Sequence, residues 1–337
     1  MKKLYLGILM AACVFTLGAQ AELFSPGNVI FADPFYSPDG QIVELKITGN
    51  EAEVINVVRW DLADTLRRRA LGLDVDPNGT VFVGITATWE NNPENPYPEG
   101  IGEVLRIDKQ GNQTFYMTDI VKTTYLSAIG VDEVVVSSNV ASDQHLAYRY
   151  KFSGTETSEW SEYNKGSHGE ALRLPDGRLL FGDNTKSGIH IYDLAGGEPT
   201  GVFYDDGRTV RSLSYNDKIG AVIASLQDQR TILRIGLDGV LQEEYNATND
   251  GFTAIWGIAQ IPGTTNFITG NHDVAGMASV LGVFNALDLA AGPRLITITS
   301  GFANAGLPEG TTFRSFFNMA VVPGAEFPPS VDAWSLF

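Results

Sequence analysis

The stretch His168–Asp206, HGEALRLPDGRLLFGDNTKSGIHIYDLAGGEPTGVFYDD, carries the pattern that decides the fold. It reads as a short strand, a Pro175-Asp176-Gly177 turn, a strand, an Asn184–Gly188 loop, a strand, a Gly196-Gly197 turn and a last strand. Gly and Asp supply the backbone angles and local hydrogen bonds that tight turns need, and the apolar runs between them are too short for helices. The same order recurs on both sides. LGLDVDPNG, TVFVGIT, GEVLRID and NQTFYMTD form one unit, and YLSAIGVDE, VVVSSN, HLAYRYKFS and SEWSEY form the next. After Asp206 come RSLSYNDKIG, AVIASLQ, TILRIGLDG and LQEEYNAT, then IWGIAQIPG, TTNFITGNHD, ASVLGVFNALD and PRLITITSG.

The two ends complete each other. NVIFAD, QIVELKITG and AEVINVV are three strands with no partner before them, and FRSFFNMAVVPG near the C-terminus looks like the opening strand of a unit. The expectation is an all-β, six-bladed β-propeller, its ring closed by the C-terminal strand completing the N-terminal blade. A β-sandwich, a pair of smaller β domains, or seven blades with two units merged are the alternatives. DLADTLRRRA, ahead of the second unit, reads as a short helix with Arg67, Arg68 and Arg69 near its end.

Lys2 and Lys3 precede the apolar run LYLGILMAACVFTLG and then Ala19-Gln20-Ala21, the layout of a secretory signal cleaved after Ala21. Domain boundaries follow: signal peptide 1–21, propeller 22–324 and a C-terminal tail 325–337. A lipoprotein site at Cys13 is the rival reading. The predicted location is secreted or periplasmic. Cys13 is the one cysteine of the chain, so ring closure rather than disulfides would hold the exported protein. No later segment is apolar enough for a transmembrane helix. Lys plus Arg number 23 against 40 Asp plus Glu, a net charge of −17, which disfavours nucleic acid as a partner. A small-molecule or carbohydrate ligand and a monomeric state are expected. The 36 glycines of 337 residues suit a fold with many turns.

In a propeller the first strand of each blade lines the channel. Aligning those strands by their turns places Gly72, Ser127, Glu170, Ser212, Gly257 and Asn318 at one mouth, with His168, Arg211 and Trp256 beside them. The ends of second strands add Asp183 and His272. Glu170, Asn318 and Asp183 offer oxygen donors suited to Ca²⁺ or another divalent cation. His168 and Glu170 are two apart and share a strand face, a candidate acid–base pair. Trp89 and Tyr97, in and near TWENNPENPYPEG, can stack on a sugar ring, and Trp256, Arg211 and His272 complete the substrate-binding candidates.

GEALRLPDGRLLFGDNTKSGIHIYDLAGGE resembles a blade of the gluconolactonase/regucalcin-like group within the TolB-like propeller superfamily. The resemblance implies that Glu170, in the Gly-Glu pair opening an inner strand, is a metal ligand. It also implies that Asn318 in FFNMAVVPG is a second ligand three blades on. The activity so implied is a divalent-metal-dependent hydrolase of lactones or related esters. A non-enzymatic ligand-, carbohydrate- or protein-binding propeller is the alternative.

Overall fold

The computed structural model describes residues 22–34, 40–60, 66–89, 101–118, 123, 125–137, 146–153, 156–164, 169–182, 187–226, 230–271, 280–313, 316 and 318–324. Among them are strands and two short 3₁₀ turns, and no α-helix. The chain starts with β1 (Val29–Asp33), β2 (Gln41–Thr48) and β3 (Glu51–Arg59). Next come β4 (Leu66–Val75), β5 (Val81–Trp89), β6 (Ile101–Ile107) and β7 (Gln113–Met117). They are followed by β8 (Tyr125–Gly130), β9 (Glu133–Ser137), β10 (Leu146–Ser153) and β11 (Glu156–Asn164). The fourth group is β12 (Ala171–Arg173), β13 (Leu179–Gly182), β14 (Ile189–Tyr192) and β15 (Gly201–Tyr204). Then come β16 (Val210–Asn216), β17 (Ala221–Leu226), β18 (Thr231–Gly236) and β19 (Leu241–Asn246). The last are β20 (Ile255–Gln260), β21 (Asn266–Asn271), β22 (Leu281–Asn285), β23 (Arg294–Ser300) and β24 (Met319–Val321).

β4–β7, β8–β11, β12–β15 and β16–β19 each form a four-stranded antiparallel sheet in chain order. The remaining strands make one eight-stranded sheet, β20-β21-β22-β23-β3-β2-β1-β24. Its two antiparallel halves are joined by a short parallel pairing of β23 with β3, Thr297 to Glu51 and Ile298 to Ala52. The C-terminal β24 pairs with β1, Val29 opposite Val321 and Phe31 opposite Met319, as the sequence led one to expect of that strand. First strands meet around a central axis in the order β24, β4, β8, β12, β16, β20 and back to β24. This is a β-propeller arrangement.

The apolar side chains fill the wedges between neighbouring sheets. Ile30 and Ile42 pack with Leu73 and Val83, while Phe82 and Val104 pack with Val136 and Phe152. Phe181 and Tyr192 meet Val135 and Tyr163, and Leu180 and Phe203 meet Val222 and Leu233. Ile223 and Ile232 join Phe267 and Phe284, and Phe31 and Val43 join Ile268 and Phe316. Strands inside a sheet are covered on both faces, which is why β9 and β17 are buried throughout, with the apolar runs Val134–Val136 and Ala221–Ala224 inside them. The outermost β19 alternates exposed and half-buried residues instead.

Turn chemistry punctuates each unit. Gly177 adopts φ 90° and its N–H donates to the Leu174 carbonyl at 2.9 Å, while Asp176 Oδ1 accepts from the Arg178 N–H at 3.1 Å. Close approach of first strands explains Gly72. A Cβ there would lie 2.7 Å from the Leu126 backbone nitrogen and 2.8 Å from the Leu126 Cβ. Gly72→Ala is therefore expected to force β4 and β8 apart at a cost of about 1–3 kcal/mol. A urea-unfolding midpoint equal to the parent's would show that the two strands have slack.

One local expectation is corrected. DLADTLRRRA is not a helix from Leu66 onward: Leu66–Val75 is one strand, paired with β5 so that Arg67 faces Thr88 and Arg69 faces Thr86. The Leu-Arg-rich composition favours a helix in isolation, but ladder pairing with β5 overrides it. Asp61–Thr65 lie outside the described residues.

Candidate functional site

Five of the six first strands project a polar side chain onto the backbone of the next, from near the strand start in β8, β12, β16 and β24 and from near the strand end in β4. Asn318 Nδ2 donates to the Leu71 carbonyl at 3.1 Å. Asp74 Oδ2 accepts from the Ala128 N–H at 2.8 Å. Ser127 Oγ accepts from the Ala171 N–H at 3.0 Å, and Glu170 Oε2 accepts from the Leu213 N–H at 3.1 Å. The Ser212 hydroxyl donates to the Trp256 carbonyl. These bonds stitch β24 to β4, β4 to β8, β8 to β12, β12 to β16 and β16 to β20. Backbone groups that face the axis have no ladder partner there, so short polar side chains satisfy them.

Within this ring the structure brings together Glu170, Arg211 and Trp256 from the sequence-derived candidates. The Glu170 N–H donates to the Arg211 carbonyl at 2.9 Å. The Arg211 guanidinium lies over the Trp256 ring, 3.7 Å from its centroid, a cation–π contact in a buried setting. Asn318 is fully buried in the same tier, and its Oδ1 has no hydrogen-bond partner. His168, Tyr97, His272 and Asp183 lie outside the described residues, and Trp89 closes β5.

Below this tier lies a cavity of about 460 Å³. It runs along the first strands from Glu170 and Ser127 to the turns at Pro77, Pro175–Gly177, Pro262 and Pro323. The sequence reading looked to the mouth at the strand starts; the described cavity extends to the turn side. Its walls are largely aliphatic, and Asp74 and Glu170 face into it. Both sit deep in the ring yet are only half-buried by surface area, because the cavity is open to them.

Asp74 and Tyr125 were missed by the sequence reading. Asp74 stands two residues beyond Gly72 on the same strand face, and Tyr125 two residues before Ser127, so strand alternation was the available signal. Burial pushes the Asp74 carboxyl up to about 7, against the N–H groups of Ala128 and Val75, and neighbouring Asp76 adds to the rise. Burial likewise holds Glu170 well above the ordinary carboxylate range; Leu213 opposes it, Asp74 reinforces it, and Ser212 and Arg211 oppose it. Tyr125 is pushed up to about 12 by burial, and its hydroxyl has no hydrogen-bond partner. It senses both Arg211 and Glu170.

As a calcium site the described residues are thin. Glu170 and Asn318 supply oxygens, but no three His, Cys, Asp or Glu side chains among the described residues come together as an ion would require. Arg211 already provides a positive charge in electrostatic reach of Glu170. Asp183, the third ligand expected from the sequence, lies outside the described residues.

No family model matches the chain, and no curated protein matches it. Its likeness is to solved structures. A protein of unknown function from Bacteroides caccae superposes with a TM-score of 0.58 at 10% identity, covering 89% of this chain and all of that one. A chain in the crystal structure of a nidogen/laminin complex superposes with a TM-score of 0.57 at 11% identity, covering 88% of this chain and 98% of that one. The fold is that of a β-propeller. At these identities the likeness speaks to architecture alone. No helix among the described residues is long and apolar enough to cross a membrane.

Proposed function

We propose that this chain is an exported six-bladed propeller that binds a small molecule inside its channel. Six blades follow from reading the eight-stranded sheet as two blades joined at their outer strands. The closed order of first strands and an apolar wedge between each neighbouring pair support that count. The cavity carries the functional reading. Its volume of about 460 Å³ is that of a small-ligand pocket, and it joins aliphatic walls to a few convergent polar groups. Binding is favoured over lactone or ester hydrolysis because the polar groups around Glu170 are engaged in joining strands. The gluconolactonase/regucalcin-like membership rests on the Gly169-Glu170 blade and is part of this proposal only as a source of the fold.

The test is a thermal-shift screen of the full chain against small molecules of anionic, neutral and cationic classes, run beside Ala128→Phe, which narrows the cavity. A ligand at a hundredfold excess over its dissociation constant should raise the melting temperature by on the order of 5 °C. The rise should vanish in Ala128→Phe. If no class stabilises the protein, or if Ala128→Phe responds equally, the channel is not the binding site.

A further inference from the structure

We propose that the ligand of this channel is an organic cation, an ammonium or guanidinium group on an aliphatic body, held between Asp74 and Glu170. The inference deepens the channel-binding reading and rests on it.

The wall chemistry selects the charge. Among the described residues, the charged side chains lining the cavity are Asp74, Asp76, Glu170, Asp176 and Asp217 against the single cation Arg173. Several of these are already committed. Asp76 accepts from the N–H groups of Asn78 and Thr80 on one oxygen and from Asp132 on the other. Asp176 pairs with Arg178, and Arg173 reaches the Ile129 carbonyl at 3.4 Å. Asp74 and Glu170 remain. Asp74 accepts from the Val75 N–H on Oδ1 and the Ala128 N–H on Oδ2, Glu170 accepts from the Leu213 N–H on Oε2, and both carboxylates still present surface to the cavity. A carboxylate has about four acceptor positions, so each retains capacity for a ligand.

The two carboxyls also feel each other, since Asp74 raises the proton affinity of Glu170. Two acids in one enclosed space ionise together only when a positive charge joins them. Arg211 is the protein's own cation nearest Glu170, but its guanidinium is stacked on Trp256. The Tyr125 hydroxyl, beside the lining residue Leu126 but not itself part of the cavity wall, is a further buried polar atom of this tier. It is 1% exposed, lacks a hydrogen-bond partner and interacts with Glu170. An ammonium placed between the carboxyls satisfies their lone pairs, and Leu73, Leu126, Leu172, Leu213 and Ile258 line the space for an aliphatic body. An anion would meet like charge, and a neutral ligand would leave the carboxyls' remaining acceptor positions without a charge-matched partner.

The experiment is calorimetric titration of the full chain with cyclohexylammonium, cyclohexanol, cyclohexanecarboxylate and calcium chloride, each at pH 5.5 and pH 8. Cyclohexylammonium is expected to bind at least about tenfold more tightly at pH 8, with proton release seen as a dependence of the heat on buffer ionisation enthalpy. Asp74→Asn and Glu170→Gln keep an acceptor oxygen toward Ala128 and Leu213, and each should weaken the amine by roughly tenfold or more, the value of a charge-assisted bond. Proton release in the unmodified protein tests the idea even where a variant does not fold. If cyclohexanol binds as well as the amine, and equally in Asp74→Asn, the channel binds ligands but the cation inference fails. Binding of calcium alone, lost in both variants, replaces the organic cation by a metal ion and overturns the inference. If none of the four binds, the inference and the channel reading fall together.

Discussion

A chain ended at Phe313 should fail to fold. It loses Phe316, Asn318 and β24, and each of these joins the two ends of the chain. Phe316 packs edge-on against Phe31 with ring centroids 4.7 Å apart, and its N–H donates to the Asn271 carbonyl at 2.9 Å. Asn318 ties to Leu71. β24 and the residue after it then divide their side chains between two wedges: Met319 and Val321 enter the one toward β20, and Ala320 and Val322 the one toward β4. Removing buried side chains of this size costs about 2–5 kcal/mol each, and whole domains are stable by only about 5–15 kcal/mol. Circular dichroism and size-exclusion chromatography should report an unfolded or associated chain. Ala320→Asp is the milder version, placing a carboxylate between Ile30, Ile42 and Ala70 in a fully apolar wedge. A cooperative melt near the parent's midpoint for both proteins would show that ring closure contributes little.

Acid is expected to stabilise this protein through Asp74. Its carboxyl titrates at about 7 in the folded chain against 3.8 ordinarily. Below about pH 4 it is protonated in both states, so burial carries no charge penalty. Between about pH 4 and 7 the unfolded chain gives up this proton while the folded chain keeps it, and stability falls. Above 7 the loss is complete, at most roughly 4 kcal/mol for about three pH units. Glu170 and Asp76, both raised by burial, act in the same direction, whereas Asp205 and Asp108 are lowered and act in the opposite one. Asp74→Asn isolates the effect. Its advantage over the parent in urea midpoint should be largest at pH 8 and shrink toward pH 4.5. A difference that stays constant across that range would mean Asp74 titrates normally. Arg211 opposes the rise at Glu170, whereas Asp74 adds to it and Asp76 adds to the rise at Asp74, so the same series in Arg211→Gln should enlarge the loss through Glu170.

Much of the ring was legible because its signals are local. Turns such as Leu174–Arg178 announce themselves by Pro, Asp and Gly, and apolar runs such as Val134–Val136 mark the buried strands. Aligning the turns was enough to bring Glu170, Arg211, Trp256 and Asn318 onto one tier. Asp74 escaped because the alignment took one position per unit, and in that unit the position is Gly72. What gives Asp74 its character is burial in the assembled ring, beside the Ala128 N–H 54 residues away in the chain, and no local pattern encodes that setting. Leu66–Ala70 was misread for a related reason: its pairing with β5 outweighs a helix-favouring composition. The cavity depends on how far the first strands stand apart below Glu170, a property of the assembled wedges and not of any one segment.

The pairing of β23 with β3 has a consequence for self-association. Most sheets here end in an outer strand, β7, β11, β15 or β19, whose free backbone groups could template another chain. β3 and β23 instead cover each other over Glu51–Glu53, so strand addition and fibre growth are blocked along that flank. The outer strand β19, LQEEYN, and β11, ETSEWSEYN, carry carboxylates that repel a second copy laid alongside. The acidity that named no partner thus gives the open margins of the ring a means of staying apart.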